Sequence, residues 1–247
     1  MARLLTYNVH RCVGTDRRLD VARIADVIAE QAPDIVCLQE LDVGRARTGG
    51  IDQAAEIAQR LSMSFRFNAA MRIEAEEYGD AILTTLPERL IKAGPLPTIQ
   101  GVPGLEPRGA VWIEADIDGS PVNILTTHLG LVPREQRLQA AALMSREWLG
   151  NPACKGPILL AGDFNATSIT RPYQRIVRHL RDAQRLAGQR PSLKTFPSSF
   201  PAIRIDHVFV TEDVRVTGVQ VPNAPLVRAA SDHLPLVVDF EIQPRPQ

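Results

Sequence analysis

The chain has 247 residues, 45% apolar and 23% charged, enough to bury a sizeable core as one large domain over residues 1–247. Lys plus Arg and Asp plus Glu balance at 28 each, which argues against a protein that grips long nucleic acid through a basic excess. Three cysteines without metal-ligand spacing, no room for a signal peptide and no apolar run of ~18 residues point to a reduced, cytoplasmic protein without a stable membrane anchor.

In chain order, residues 3–9 read as a strand and 20–31 as an amphipathic helix, with Asp20 at its cap and Val21, Ile24, Ala25 and Ile28 on one face. Pro33 ends it and an apolar strand follows, closing on Glu40. A second helix covers 51–61. Strands are expected over 65–69, 81–85, 90–93 and 110–116, with a proline- and glycine-rich loop over 94–107. A turn at Asp118-Gly119 leads into a strand ending at His128, and 133–149 is the longest predicted helix, opened by proline. The remainder predicts a strand ending near Asp163, a helix over 172–180, a loop over 188–201, two strands and a closing strand over 236–242. Several strands follow one another without helices, which favours antiparallel or mixed sheets.

Isolated polar residues sit at the ends of these short apolar runs. In order they fall in Thr6-Tyr7-Asn8, Leu38-Gln39-Glu40, Thr127-His128-Leu129, Gly162-Asp163-Phe164-Asn165, Ile205-Asp206-His207 and Ser231-Asp232-His233-Leu234-Pro235. Groups at strand ends converge on one rim, where loops hold functional residues on a rigid scaffold. All six motifs, in this order and spread over almost the whole chain, resemble the endonuclease/exonuclease/phosphatase family of metal-dependent phosphoesterases. The resemblance implies a four-layer α/β sandwich, with two packed mixed β-sheets flanked by helices.

Phosphoester hydrolysis needs an in-line nucleophile, charge neutralisation and help for the leaving group. Mg²⁺ takes carboxylate and water oxygens, and Glu40, a charged residue ending an otherwise apolar strand, is the best candidate ligand. The resemblance places the metal-binding glutamate there, with Asn8 beside it and Mn²⁺ as a substitute ion; Asp232 either joins the metal site or orients a neighbouring histidine. His233 is the candidate general base, because a neutral imidazole takes a proton near neutral pH. By resemblance Asp206 orients His233, Asp163 acts on the attacking water or leaving group, Asn165 positions the phosphate and His128 donates to a phosphoryl oxygen. Asp163 and Asn165, two apart in an extended segment, are expected on one face. Which of His233 and Asp163 activates water stays open at this level.

Arg45, Arg47 and Arg108 are candidate phosphate clamps, since a guanidinium fork matches phosphate oxygens. His10 is expected to border the pocket. For His207 substrate contact and a buried strand role stand level, and His179 reads as surface. Within the family the chain resembles a bacterial branch of small metal-dependent hydrolases, through Asn8-Val9-His10-Arg11, Tyr78-Gly79-Asp80-Ala81-Ile82-Leu83 and Pro107-Arg108-Gly109-Ala110. Relatives carry Asn where this chain has Asp80, and a carboxylate there would repel phosphate. The substrate expected is a phosphodiester of a lipid headgroup or small metabolite. A repair-type DNA nuclease is the runner-up, and an inactive binding or scaffold protein is the rival of another class, disfavoured because Glu40, Asp163, Asp206 and His233 are all present.

Overall fold

A computed structural model describes residues 1–99 and 101–243. With strands numbered in chain order, one sheet runs β11 (Val214–Gln220), β12 (Leu236–Ile242), β1 (Ala2–Asn8), β2 (Ile35–Val43), β4 (Glu76–Thr84), β3 (Ser64–Ile73). The other runs β5 (Glu88–Pro95), β6 (Gly109–Ile117), β7 (Ser120–His128), β8 (Ile158–Asp163), β10 (Asp206–Val210), β9 (Arg181–Asp182). Each sheet is antiparallel except for one central parallel pair, β1 with β2 and β7 with β8. Parallel neighbours need a crossover. Helix α1 (Val21–Ala29) supplies it in the first sheet and α3 (Pro133–Leu143) in the second.

Alternation along the strands separates the layers. Leu4, Ile35, Cys37, Ile124, Leu159, Ala161, Val208 and Val238 belong to the core between the sheets. Leu5, Tyr7, Val36 and Leu38 face outward, onto α1, α2 (Gln53–Leu61) and α6 (Pro225–Ala230). Leu125, Leu160 and Phe209 face α3 and α4 (Arg171–Ile176) on the opposite outside. The short helix α5 (Ala183–Leu186) packs against β10 and β11. The result is the expected four-layer sandwich. No helix among the described residues is long and apolar enough to cross a membrane.

Asp20 caps α1, its carboxylate accepting the Arg23 backbone N–H at 2.9 Å, and Asp52 caps α2 through Ala55 at 2.9 Å. Element boundaries differ from the sequence reading in instructive places. Strand β4 starts five residues earlier than expected, because the charged stretch Glu76-Glu77 pairs with β3 and the end of β2 at the sheet margin. This places Asp80 inside a central strand. Strand β5 runs on through Pro95, taking the start of the predicted loop. The long helix stops at Leu143 rather than 149, where the Ser145 hydroxyl donates to the Ala142 carbonyl at 2.7 Å and the chain turns. Helix α4 ends at Ile176, short of the expected 180.

Gly162, one residue before Asp163, sits at φ 146° between β7 and β10, and a methyl there would lie 1.9 Å from the Thr127 carbonyl oxygen. Gly79, one residue before Asp80, is likewise pressed on the Asn68 carbonyl oxygen, 1.8 Å from where a Cβ would stand. Both glycines let neighbouring backbones approach closely beside a polar site residue. Gly162→Ala is expected to destabilise the fold by about 2–4 kcal/mol through backbone displacement. Urea unfolding of the variant, read against wild type, checks this.

Candidate active site

The inner-facing residues at one end of the central strands are Asn8 on β1, His128 on β7, Asp163 on β8 and Asp206 on β10. His128 pairs with Asp163 across β7–β8, and Asp163 with Asp206 across β8–β10. Side chains of period two from three adjacent strands therefore meet on one inner rim. Glu40 should point outward by the same alternation. A bulge between Leu38 and Leu41, with Glu40 at φ 62°, returns it to the rim. Asn165 departs from the extended conformation expected for it. It takes φ 47°, and its backbone N–H donates to Asp163 Oδ1 at 2.8 Å.

Asp163 is the hub. Asn8 Nδ2 donates to its Oδ2 at 3.0 Å and to Glu40 Oε1 at 2.9 Å. The nitrogens His233 Nε2 and His128 Nε2 lie 3.6 and 3.5 Å from that same carboxylate oxygen. Burial lifts the Asp163 pKa above the ordinary carboxylate range, against the opposing pull of His233. On the other side of His233, Nδ1 contacts Asp206 Oδ2 at 3.0 Å, and Thr195 donates to the same oxygen at 2.5 Å. Burial alone would keep His233 neutral, but the Asp206 and Asp163 charges outweigh it and raise its pKa. His233 thus stands between two carboxylates, one toward each ring nitrogen.

His128 is the opposite case. Burial first, then the Arg108 and His233 charges, hold it neutral, its pKa well below the ordinary value. Arg108 donates from Nη1 to His128 Nδ1 at 3.0 Å. Asn165 Nδ2 approaches the other ring nitrogen, Nε2, at 3.0 Å and donates to the Leu129 carbonyl at 3.0 Å, so a donor faces the imidazole on each side.

The remaining predicted residues divide. Asp232 is partly exposed, accepts the Ser231 hydroxyl at 3.3 Å and stands 4.0 Å from His10 Nδ1. His10 borders this side, beginning three successive residues at positive φ (45°, 58° and 58° at His10, Arg11 and Cys12). Left-handed runs of non-glycine residues are strained and concentrate near functional sites. Asn8 presents its amide nitrogen to Glu40, because its Oδ1 accepts the His10 backbone N–H at 3.0 Å. A backbone donor admits no flip, so Asn8 bridges Glu40 and Asp163 through its amide nitrogen.

Arg108 joins the site through His128, but Arg45 and Arg47 do not stand free as clamps. Arg45 Nε is 3.3 Å from Glu76, and Arg47 forms a two-pronged pair with buried Asp42 at 2.7 Å. For His207 the geometry matches the buried strand role, one of the two readings open from sequence. Alternation turns it to the outer face of β10, where it is fully buried, edge-on to Phe164 and stacked on Phe209, its Nε2 2.7 Å from the Ala166 carbonyl. It steadies the loop after Asn165 rather than facing the cleft.

Supporting residues complete the site. Gln39 Nε2 donates to Thr126 Oγ1 at 2.9 Å, tying the two sheets beneath the rim. The Ser231 hydroxyl anchors the Asn8 carbonyl at 2.8 Å. Asp80 is buried near Glu40 and Arg108, its pKa pushed up to about 7 by burial, against Arg108 and reinforced by Glu40 and Asp163. Carboxyl groups thus accumulate and raise one another here. Asp163, Asp206 and His233 offer ligand atoms within 4.8 Å of one another, and Asp206 Oδ1 is buried without a protein partner. Such a donor set, all hard oxygens and one imidazole with excess negative charge, fits a divalent cation. Glu40 and these carboxylates are the residues that would hold it.

A two-sheet sandwich whose rim gathers carboxylates, histidines and an arginine around a buried aspartate defines a hydrolytic phosphoesterase scaffold. The chain belongs to the Endonuclease/Exonuclease/phosphatase family, whose profile matches residues 5–233. The uncharacterized protein YbhP of Escherichia coli (strain K12) is 26% identical over 255 residues, spanning 97% of this chain and 96% of that protein. A crystal structure of an endonuclease/exonuclease/phosphatase from Beutenbergia cavernae DSM 12333 superposes with a TM-score of 0.77 at 26% identity, covering 98% of this chain and 72% of that one. The mannosyl-6-phosphatase Bt3783 of Bacteroides thetaiotaomicron VPI-5482 shares the fold with a TM-score of 0.74 at 19% identity, over 98% of this chain and all of that one (100%). Members of the family are generally metal-dependent hydrolases.

The buried His207 yields a pH prediction. Burial, then the Arg204 charge, push its pKa down to about 4, whereas in the unfolded chain a histidine titrates near 6.5. Between those values the unfolded chain binds the extra proton, so stability is full above about pH 6.5 and falls on acidification toward 4. His207→Phe should therefore lose about 2 kcal/mol less than wild type between pH 7 and pH 5. Urea titrations at the two pH values measure the difference.

Proposed function

We propose that this protein is a Mg²⁺-dependent phosphodiesterase, Mn²⁺ substituting, that cleaves a small phosphodiester such as a lipid headgroup or metabolite by in-line attack of water. The observation that carries the reading is the line Asp206–His233–Asp163, with Oδ2 contacts of 3.0 and 3.6 Å to the two ring nitrogens and Asn8 bridging onward to Glu40. A bound divalent cation would supply charge neutralisation on the phosphoryl oxygens, held by Glu40 and the neighbouring carboxylates.

The chain's own groups supply the rest. Asp206, fixed by Thr195, orients the His233 ring. The attacking water is placed beside His233 Nε2 and Asp163 Oδ2, which stand 3.6 Å apart, and this coupled pair takes up the proton the water releases. His128, held by Arg108 at 3.0 Å, faces a phosphoryl oxygen and steadies the charge that builds on it. Asn165, locked by Leu129, positions the phosphate. The pairing of Arg45 and Arg47 with Glu76 and Asp42 takes both away from the role of phosphate clamps, and the neutral net charge favours a small diester over DNA.

Hydrolysis of an aryl phosphodiester with Mg²⁺ or Mn²⁺, and with chelator, tests the proposal. Wild type should turn over only with metal. Turnover in His233→Ala should fall by about 10²–10⁴-fold, Glu40→Ala should lose metal dependence and activity together, and Asp206→Asn should lower turnover with little change in thermal unfolding. Wild-type turnover in His233→Ala would overturn the mechanism.

A further inference from the structure

The large apolar side chains left in solvent are unevenly placed. Leu19, Leu131, Ile169, Phe200, Ile203 and Leu226 all lie on segments at the end of the sandwich where the site opens, and three of them stand far out, Ile169 at 88%, Phe200 at 79% and Leu131 at 72% exposed. Hydrogen bonds tie these segments into one arc. Gln136 Nε2 donates both to the Gly130 carbonyl at 2.9 Å and to the Asn165 carbonyl at 2.8 Å, joining the Leu131 and Ile169 loops. The Phe164 N–H bonds the Ile205 carbonyl at 3.0 Å, next to the loop that carries Phe200 and Ile203. Arg228 Nη1 donates to the Ser199 carbonyl at 3.3 Å, and the Thr15 N–H to the Ala229 carbonyl at 3.0 Å, which brings in α6 and the Leu19 loop.

Cations are interleaved on the same arc. Arg17, Arg134, Arg171 and Lys194 are exposed, and none has an ion-pair partner among the described residues. Apolar tips and unpaired basic residues on one rim match a surface with an apolar interior and an anionic face. We infer that this rim docks on an anionic lipid surface, Leu131, Ile169 and Phe200 entering the acyl boundary while the four cations meet headgroup phosphates. The docking deepens the phosphodiester reading, since it brings the cleft to bear on headgroups in the plane of the membrane, but the binding itself does not depend on turnover. It differs from an amphipathic helix or a spanning segment, because the apolar residues come from separate loops of a preformed rim.

Flotation with vesicles of phosphatidylcholine, with and without phosphatidylglycerol, tests it on the whole protein. Wild type should float with the anionic vesicles and much less with the neutral ones. The triple substitution Leu131→Ser, Ile169→Ser, Phe200→Ser should reduce that partitioning by about tenfold or more, with hydrolysis of the soluble aryl diester unchanged. A second variant, Arg134→Glu with Arg171→Glu, should lose binding to anionic vesicles and keep the same soluble activity. Absence of flotation by wild type, or flotation undiminished in both variants, would overturn the inference. So would sedimentation showing that the triple substitution abolishes self-association of a protein that binds no vesicle, which would assign the rim to a second copy. Vesicle binding in a protein inactive on the soluble diester would leave the docking standing and remove only the proposed reaction.

Discussion

A carboxylate taken almost entirely out of water, that of Asp163, is the constraint around which the site is built. Removing such a charge from solvent costs several kcal/mol unless donors and cations replace the lost hydration. Here the replacement comes from both sheets at once. Asn8 reaches across from the first sheet, the Asn165 backbone folds back from the chain that follows, and His128 and His233 approach from either side. Each partner is itself fixed, by His10, Leu129, Arg108 and Asp206 in turn. The sheets are therefore joined at this end by a polar network, where the rest of their shared interior is apolar.

Regular strand geometry carries most of this and fails at two points that matter. Alternation delivers Asn8, His128, Asp163 and Asp206 to the inner rim without strain. Glu40 and Asn165 arrive only because the backbone leaves the extended conformation, at φ 62° and 47°. Positive φ in non-glycine residues is costly and persists where the surroundings over-determine it. The surroundings here are the β2 bulge and the turn closed on Asp163 Oδ1. The same network explains why excess carboxylate is tolerated. Asp80, Asp163 and Asp206 sit near Arg108 and His233, and the balance left over is negative, the condition under which a divalent cation is a stabilising guest.

Much of the site was legible in the sequence because its residues end apolar runs, and a polar residue that ends a buried strand has few places to go. Asn8, Glu40, His128, Asp163, Asp206 and His233 carry that signal. Gln39, Thr126, Thr195 and Ser231 do not, since an amide or hydroxyl inside a strand or loop is unremarkable until its partner is known. His207 shows the reverse case. Its neighbour Asp206 belongs to the site, yet a period of two sends adjacent residues to opposite faces. Arg45 and Arg47 looked like phosphate ligands because their acidic partners, Glu76 and Asp42, are a turn or a hairpin away in space.

What the sequence determined by itself was the layer plan and the order of the motifs. Apolar runs of strand length, capped helices and their alternation follow from local chemistry, and the polar residue closing each run is a local feature too. Only the tertiary structure decided which side chains share a charge environment. The raised pKa of His233, the lowered pKa of His128, the fixed amide of Asn8 and the bulge at Glu40 depend on groups brought together from distant parts of the chain. Electrostatic and hydrogen-bond energies act across space at a few ångströms, and the linear order of residues does not encode that distance.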